Sequence, residues 1–170
     1  MTRVLITGGA GFLGSHVAAA LVEHPGVDLV VAGDVRRPEH PIEGVVCDEC
    51  DVTQPGPRLP LLERHDIDVV VHLAAIVNPG RDHDMEYRVD VDGSRNVLDA
   101  CLAAGVRRVV VSSSGAAYGY HADSPAWLRE TDPIRGNEEF AYSKHKRLVE
   151  EMLATAREEH PELEQVIFRI

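Results

Sequence analysis

The sequence lacks the features that mark membrane and secreted proteins. No apolar run approaches the ~18 residues that a membrane span needs, and Thr2–Thr7 predicts a strand where a signal peptide would begin. Cysteine is rare, because Cys47, Cys50 and Cys101 are too few, and odd in number, for a disulfide framework. We therefore expect a cytoplasmic protein.

Positive charge is also scarce. The 170 residues carry 17 Lys and Arg against 28 Asp and Glu, a formal net charge of −11. A surface of this sign repels nucleic acids and anionic membranes, so we predict neither as a partner. A small anionic ligand would have to be held by local backbone N–H groups.

Two hydrophobic periods alternate along the chain. Six short runs rich in Val and Ile are typical of strands covered on both faces: Val4–Thr7, Leu29–Gly33, Val45–Cys47, Val69–Leu73, Val109–Ser113 and Val166–Ile170. Helical stripes separate them: Leu13, Val17, Ala20 and Leu21; Gly93, Val97, Ala100, Cys101 and Ala104; Leu148, Val149, Met152, Leu153 and Ala156. The alternation predicts an α/β fold with a doubly wound parallel sheet of about six strands, one Rossmann domain over residues 1–170.

Three connections look irregular. Residues 33–45 predict a loop, and Pro55, Pro57 and Pro60 leave room only for a short helix before Val69. The stretch Gly115–Glu139 predicts a long loop after the fifth strand, and loops of that length often carry function.

A glycine-rich turn links the first strand to the first helix. Residues 7–14 read TGGAGFLG, which fits G-x-x-G-x-x-G at 8, 11 and 14 and G-x-G-x-x-G at 9, 11 and 14. Such a turn brings the backbone close to a pyrophosphate and points a helix N-terminus at it. The residues predicted to contact a dinucleotide here are Gly8, Gly11, Phe12, Leu13 and Gly14.

An acid ends the second strand. Asp34 lies 20 residues after Gly14, where a carboxylate accepts hydrogen bonds from the adenosine ribose. It would repel a 2′-phosphate, so the sequence favours NAD over NADP. Arg36 and Arg37 follow closely and could soften that preference, and we place Arg36 among the cofactor contacts.

A tyrosine and a lysine share one helical face. Tyr142 and Lys146 stand at i and i+4, so an ammonium would lie near a phenol and stabilise its phenolate. Tyr142 would then exchange a proton with a substrate oxygen, and Ser114, at the end of the fifth strand, would hold that oxygen. Alone, this spacing also fits a solvated surface pair.

Together these segments resemble the extended short-chain dehydrogenase/reductases, the NAD-dependent epimerase/dehydratase family. The segments that carry the resemblance are Thr7–Gly14, Asp34, Asp51-Val52, His72–Ala75, Val91-x-Gly93-Ser94, Ser112–Ser114 with Tyr118-Gly119, and Tyr142 with Lys146.

The resemblance implies a role for each matching residue. Asp51 and Val52 would contact adenine, and Leu73, Ala74 and Ala75 would line the cofactor cleft. Ser114, Tyr142 and Lys146 would be catalytic, with Lys146 also binding the nicotinamide ribose. The resemblance further implies NAD as cofactor, a sugar nucleotide as substrate, and a homodimer formed by the helix around 90–104 and the helix that bears Tyr142.

The chain departs from the family pattern at three points: at Asp90, at Asp92, which adds a further charge nearby, and after the sixth strand. Asn-Val-x-Gly-Thr appears as Asp90-Val91-Asp92-Gly93-Ser94, which places an acid where the pattern has an amide. The resemblance also implies a substrate-binding portion after the sixth strand, where this sequence ends at Ile170. We therefore expect a piece of a longer protein, with little turnover on its own.

Four further groups of residues carry weaker signals. The acids inside Cys47-Asp48-Glu49-Cys50 would raise the thiol pKa values, so no metal or redox role is predicted there. His72 is predicted to be a hydrogen-bonded core residue. His121 and Trp127, in the long loop, are candidate substrate contacts. A last set is predicted to form a solvated helix face: Glu150, Glu151, Glu158 and Glu159.

The sequence leaves three functions open. The first is hydride transfer between NAD and a sugar-nucleotide carbon, with Tyr142 as acid–base, for epimerisation or dehydration. The second is dehydrogenation of a hydroxylated ring such as a sterol. The third is a non-catalytic NAD sensor, which the presence of Ser114, Tyr142 and Lys146 disfavours.

Overall fold

The computed structural model describes residues 2–54, 60–77, 80 and 82–170. The strands are β1 (Thr2–Thr7), β2 (Val27–Asp34), β3 (Val45–Glu49), β4 (Val69–His72), β5 (Arg108–Ser113) and β6 (Glu164–Arg169). The α-helices are α1 (Phe12–Val22), α2 (Pro60–His65), α3 (His83–Tyr87), α4 (Gly93–Ala104) and α5 (Ala141–Glu159). A π-helical turn (Arg88–Asp92) joins α3 to α4, and a 3₁₀ turn (Gly115–Tyr118) follows β5.

The six strands form one parallel sheet in the order β3-β2-β1-β4-β5-β6. This is the doubly wound topology predicted from the sequence, and its strand order reverses between β1 and β4. In such sheets the crevice at the carboxyl ends of the two strands at the reversal is the usual place for a ligand.

Apolar side chains pack on both faces of the sheet, because successive residues of a strand point to opposite sides. Val4 and Ile6 of β1 pack with Ala18 of α1 on one face. Leu5 lies on the other face, in a larger cluster that includes Val97 of α4 and residues of α2 and α5. This arrangement explains why the strands are apolar at nearly every position.

The predicted stripe on α1 is wrong in part. Leu13 is 41% exposed and Ala20 is exposed, whereas Gly14 and Ala18 are the buried positions. Val17 and Leu21 do pack on the core. Small residues face the sheet because the helix starts immediately after the glycine turn and lies close to β1 and β2.

The prediction of a solvated face for Glu150 is also wrong. Glu150 is 4% exposed, whereas Glu151, Glu158 and Glu159 are exposed as predicted. The cause is Arg169 of β6, which donates three hydrogen bonds to the Glu150 carboxylate and makes burial of the charge tolerable.

The predicted connections agree with the structure where it describes them. Residues 35–44 form a loop, and residues 119–140 hold no helix or strand. The helix α2 has six residues, while Pro55 and Pro57 lie outside the described residues. The strand predicted as Val166–Ile170 instead runs from Glu164 to Arg169. Within the described residues, no helix has the length and apolarity to cross a membrane.

Candidate functional site

Two adjoining cavities open at the carboxyl ends of β1 and β4. The inner cavity, about 310 Å³, is lined by the start of α1 and by Tyr142 and Lys146 of α5. The outer cavity, about 320 Å³, is lined by Asp34, Asp51 and other residues that follow β2 and β3. Five residues line both: Gly8, Gly11, Leu73, Ala74 and Ala75. The cavities therefore form one elongated trough across the point where the strand order reverses.

The glycine turn forms the floor where the cavities meet. Gly8 has φ +70°, and a Cβ there would lie 2.8 Å from the backbone nitrogen of Ala74. A Cβ on Gly14 would overlap the carbonyl oxygen of Gly8. Gly9 packs against Ala32 instead and lines neither cavity, so the spacing 8, 11 and 14 is the one that shapes the site.

The first turn of α1 faces the inner cavity. Its N-cap residue is Gly11, and no side chain accepts a hydrogen bond from the first-turn amides at this cap. Phe12, Leu13 and Gly14, predicted as cofactor contacts, all line the inner cavity. Backbone N–H groups and the positive end of a helix dipole are thus directed at a space where an anion fits.

Asp34 is fixed at the outer cavity by backbone amides. Its Oδ2 accepts from Ala10 N–H at 3.1 Å and its Oδ1 from Arg36 N–H at 3.0 Å. A carboxylate oxygen has capacity for a second hydrogen bond, so both remain able to accept from ribose hydroxyls. Arg36 lies beside it, 76% exposed, with Nε 3.9 Å from Oδ1.

The far end of the outer cavity is formed by the loop after β3. Asp51 accepts hydrogen bonds from Thr53 and Gln54, which hold its pKa below the usual range. Val52 is buried, and its carbonyl accepts from Asn96 Nδ2 at 2.8 Å. These contacts fix the part of the wall for which the family resemblance implies contact with adenine, which stays a prediction.

The two thiols near this wall differ in exposure. Cys47 is exposed and Cys50 is buried. Burial, and then the charges of Asp34, Asp51 and Asp48, raise the pKa of Cys50 to about 12. The sequence predicted raised thiol pKa values from the intervening acids, but burial is the larger cause. Among the described residues, no group of three His, Cys, Asp or Glu side chains is placed to hold a metal ion.

Tyr142 and Lys146 lie together at the inner cavity. The Lys146 Nζ is 5.5 Å from the Tyr142 ring centroid and donates to the Ser112 carbonyl at 2.9 Å. Burial lowers the pKa of Lys146, while the carboxylates of Asp90 and Glu150 act in the opposite direction. The pair is therefore not a solvated surface pair, since both residues line the cavity.

A buried chain of hydrogen bonds supports the inner cavity from below. The Ser94 hydroxyl donates to the Asp90 carbonyl at 2.5 Å, so it accepts from His72 Nε2 at 3.0 Å. The other ring nitrogen, Nδ1, then accepts from the Thr7 hydroxyl at 2.7 Å. Burial, together with the charge of Lys146, lowers the pKa of His72 to about 3. His72 is thus the neutral, hydrogen-bonded core residue that the sequence predicted.

One pair at the inner cavity was missed by the sequence analysis. His145 Nδ1 lies 2.9 Å from Asp90 Oδ2, and both residues are 5% exposed. His145 stands three positions after Tyr142 on the same helical face, which is the signal that could have identified it. The departure at Asp90 was noticed in the sequence, but its partner was not.

The remaining predicted residues lie outside the trough. The Ser114 hydroxyl donates to the Ile170 carbonyl and accepts from Ala116 N–H, each at 3.2 Å. Ser114 does not appear among the residues that line the inner or outer cavity, so its catalytic role stays a prediction. In the described loop, His121 contacts the Arg135 carbonyl at 2.7 Å and Trp127 is 87% exposed.

Comparison with known proteins places this geometry in context. The model of the NAD dependent epimerase/dehydratase family matches residues 4–170. A UDP-glucose 4-epimerase of Azospirillum brasilense is 36% identical over 98% of this chain and 48% of its own length. The chain spans about half the length of the curated relatives it matches.

Two solved structures with bound NAD are also similar to this chain. A short-chain dehydrogenase/reductase superfamily protein from Agrobacterium tumefaciens with bound NAD matches with a TM-score of 0.79 and 31% identity, over 98% of this chain and 48% of that chain. MoeE5 in complex with UDP-glucuronic acid and NAD matches with a TM-score of 0.80 and 32% identity, over 98% and 54%.

Proposed function

Because the chain belongs to the NAD dependent epimerase/dehydratase family, we propose that it forms the NAD-binding half of an enzyme that acts on a sugar nucleotide. The observation that carries this proposal is the glycine-floored trough, which ends at Tyr142 and Lys146 on one side and at Asp34 on the other. The UDP-sugar enzymes among the relatives favour a sugar nucleotide over a sterol as substrate.

The described residues fit a dinucleotide along the trough. A pyrophosphate would lie over Gly11 and the first turn of α1, and the absence of a Cβ at Gly8 and Gly14 lets the turn pack tightly against Ala74 and upon itself beneath it. The Asp34 carboxylate would accept from the adenosine ribose, and Asp51 and Val52 would contact adenine. At the other end, Lys146 would bind the nicotinamide ribose.

The chemistry assigned to this chain is proton transfer at the inner cavity. NAD, when bound, supplies a nicotinamide that accepts and returns a hydride. As a phenolate, Tyr142 would take the proton of a sugar hydroxyl and become a neutral phenol, which later returns the proton; the positive charge of Lys146 would stabilise the phenolate. Ser114 would orient the same sugar oxygen.

Two assays test the proposal. Calorimetry measures NADH binding to the chain, and turnover of UDP-hexoses is measured in the full-length protein. Tyr142→Phe should reduce turnover by about 10³-fold or more and leave the NADH dissociation constant unchanged. The matched control is Tyr120→Phe, an exposed tyrosine in the loop after the 3₁₀ turn, which should keep wild-type turnover. Full activity of Tyr142→Phe would refute the catalytic assignment.

We also propose that the protein is a homodimer. A groove runs between α4 and α5, and its lining includes the part-buried apolar side chains of Leu102, Leu148 and Met152. A second copy would cover these side chains. Met152→Glu should then yield a monomer by sedimentation velocity, while Glu158→Gln, on the same helix outside the groove, should not. The cytoplasmic location stays a prediction.

A further inference from the structure

The Asp90 carboxylate joins two walls of the inner cavity. Its Oδ1 accepts from the Ile76 N–H at 2.8 Å, in the loop after β4, and its Oδ2 faces His145 Nδ1 of α5 at 2.9 Å. A carboxylate only accepts hydrogen bonds, so Nδ1 carries the hydrogen. One buried acid therefore links the loop that forms the trough to the helix that carries Tyr142 and Lys146.

The backbone around Asp90 is arranged to direct it inward. In the π-helical turn the Gly93 N–H bonds to the Arg88 carbonyl five residues earlier, which adds one residue to the turn. Gly93 itself packs against Val52, with a Cβ position 2.8 Å from Val52 Cγ2. Insertions of this kind in helices often mark functional sites. Here the insertion gives Asp90 a place in the cavity lining.

We propose that Asp90 is a positioning residue for Lys146 and Tyr142: with His145 it holds α5 against the loop after β4, and it places a carboxylate in the same cavity lining as the Lys146 ammonium. The inference rests on the proposed function, in which Lys146 binds the cofactor and supports Tyr142. An amide at position 90, which the family pattern has, would keep the bond from Ile76 but would lack the charge.

The other charges near Lys146 are already compensated or absent. On α5, Glu150 is bound by two Arg169 nitrogens at 2.9 and 2.6 Å. On β4, His72 is neutral because burial lowers its pKa to about 3. Tyr142 and His145 line the inner cavity together with Lys146. Of the two carboxylates that oppose the effect of burial on the Lys146 pKa, Asp90 acts more strongly than Glu150.

The lysine content of the sequence allows a direct test. Lys144 and Lys146 are the only lysines, so a chain labelled with ¹⁵N at lysine Nζ gives two side-chain signals, and Lys144→Arg assigns them. In Asp90→Asn the Lys146 titration midpoint should move to lower pH, while that of Lys144 stays. Asp92→Asn removes the same charge from the same turn, outside the cavity lining, and should leave Lys146 unchanged.

A second variant gives the opposite sign. In His145→Leu the imidazole no longer shares the Asp90 charge, so the Lys146 midpoint should move to higher pH. A general loosening of the fold would not produce shifts of opposite sign. An unchanged midpoint in Asp90→Asn, or an unchanged or lowered one in His145→Leu, overturns the proposal. If Asp90→Asn does not fold, the result for His145→Leu can still overturn it.

Cofactor binding provides the last measurement. By calorimetry, Asp90→Asn should weaken NADH binding about tenfold at a pH where its Lys146 has lost the proton and the wild-type lysine has not. Equal binding there would overturn the link to the cofactor. If the wild-type chain binds no NADH, the proposed function fails, while the two lysine titrations still decide the role of Asp90.

Discussion

Glu150 of α5, which is buried, and Arg169 of β6, which is part-buried, form an ion pair, with Arg169 Nη2 2.6 Å from Glu150 Oε2. The Ser113 hydroxyl donates to the same carboxylate, and Arg169 also donates to the Tyr118 hydroxyl at 2.5 Å. The hydrogen bond to Glu150 raises the pKa of Arg169. The pair thus fastens the last strand to the helix of Tyr142 and to the turn after β5.

Breaking this pair from one side should destabilise the fold strongly. Arg169→Met leaves the Glu150 carboxylate buried without its cation, so the free energy of unfolding by urea should fall by about 3–5 kcal/mol. The double variant Glu150→Met/Arg169→Met should recover part of that loss. Glu151→Gln breaks the neighbouring exposed pair with Arg147 and should cost at most about 0.5 kcal/mol. A cost for Arg169→Met as small as that of Glu151→Gln would contradict the structure.

Gly14→Ala should impair cofactor binding through packing. The added methyl would overlap the Gly8 carbonyl and lie 2.8 Å from Gly9 Cα, so the turn has to move. We expect at least a tenfold higher NADH dissociation constant by calorimetry, and about 1–3 kcal/mol lower stability. Gly26→Ala is the control, because its methyl would meet only the His24 imidazole, at 3.3 Å. Wild-type binding by Gly14→Ala would show that the turn does not hold the pyrophosphate.

Asp34 should set the choice between NADH and NADPH. Asp34→Ala removes the carboxylate that would accept hydrogen bonds from the ribose, so NADH binding should weaken about tenfold. It also removes the repulsion of a 2′-phosphate, so the ratio of the NADPH to the NADH dissociation constant should decrease. Asp28→Asn changes an exposed acid at the other end of β2 and should alter neither. An unchanged ratio of the two dissociation constants in Asp34→Ala would contradict this assignment.

His72 should make the fold sensitive to mild acid. The unfolded chain binds a proton near the ordinary pKa of 6.5, whereas the folded chain resists protonation down to about pH 3. Its contribution is therefore complete above pH 6.5 and is lost as pH falls from 6.5 toward 3, at about 1.4 kcal/mol per pH unit.

Urea unfolding at pH 7 and pH 5 measures this loss. His72→Asn keeps an acceptor for Thr7 but does not titrate, so its stability should fall less between the two pH values than that of the wild type. His24→Asn changes an exposed histidine and should retain the wild-type dependence on pH. Parallel curves for wild type and His72→Asn would show that His72 titrates normally in the folded state.

The sheet was predictable because its signal is local. Strands covered on both faces must be apolar throughout, and the glycine turn is encoded in eight consecutive residues. The start of β6 was missed because Glu164, at the edge of the sheet, is polar and is held by an ion pair to Arg108. Such a residue carries no hydrophobic pattern.

Contacts between distant residues account for the other errors. Asp90 and His145 are 55 residues apart and meet because of a π-helical turn that no sequence pattern indicated. The helical pattern predicts that Glu150 is solvated, but in the structure Arg169 of β6 binds its carboxylate and it is buried. In both cases the sequence shows the charged residue, and the fold supplies the partner that decides its role.

The three cysteines differ in exposure, so their rates of reaction with a thiol reagent report which part of the structure opens. A thiol reagent reaches Cys47 in the native state, whereas Cys50 and Cys101 react only when the structure around them opens, because burial raises both pKa values to about 12. Cys50 borders the outer cavity, and Cys101 is a core residue on the buried face of α4. Their labelling rates therefore separate local opening of the outer cavity from global unfolding, and a bound dinucleotide should slow the labelling of Cys50 more than that of Cys101.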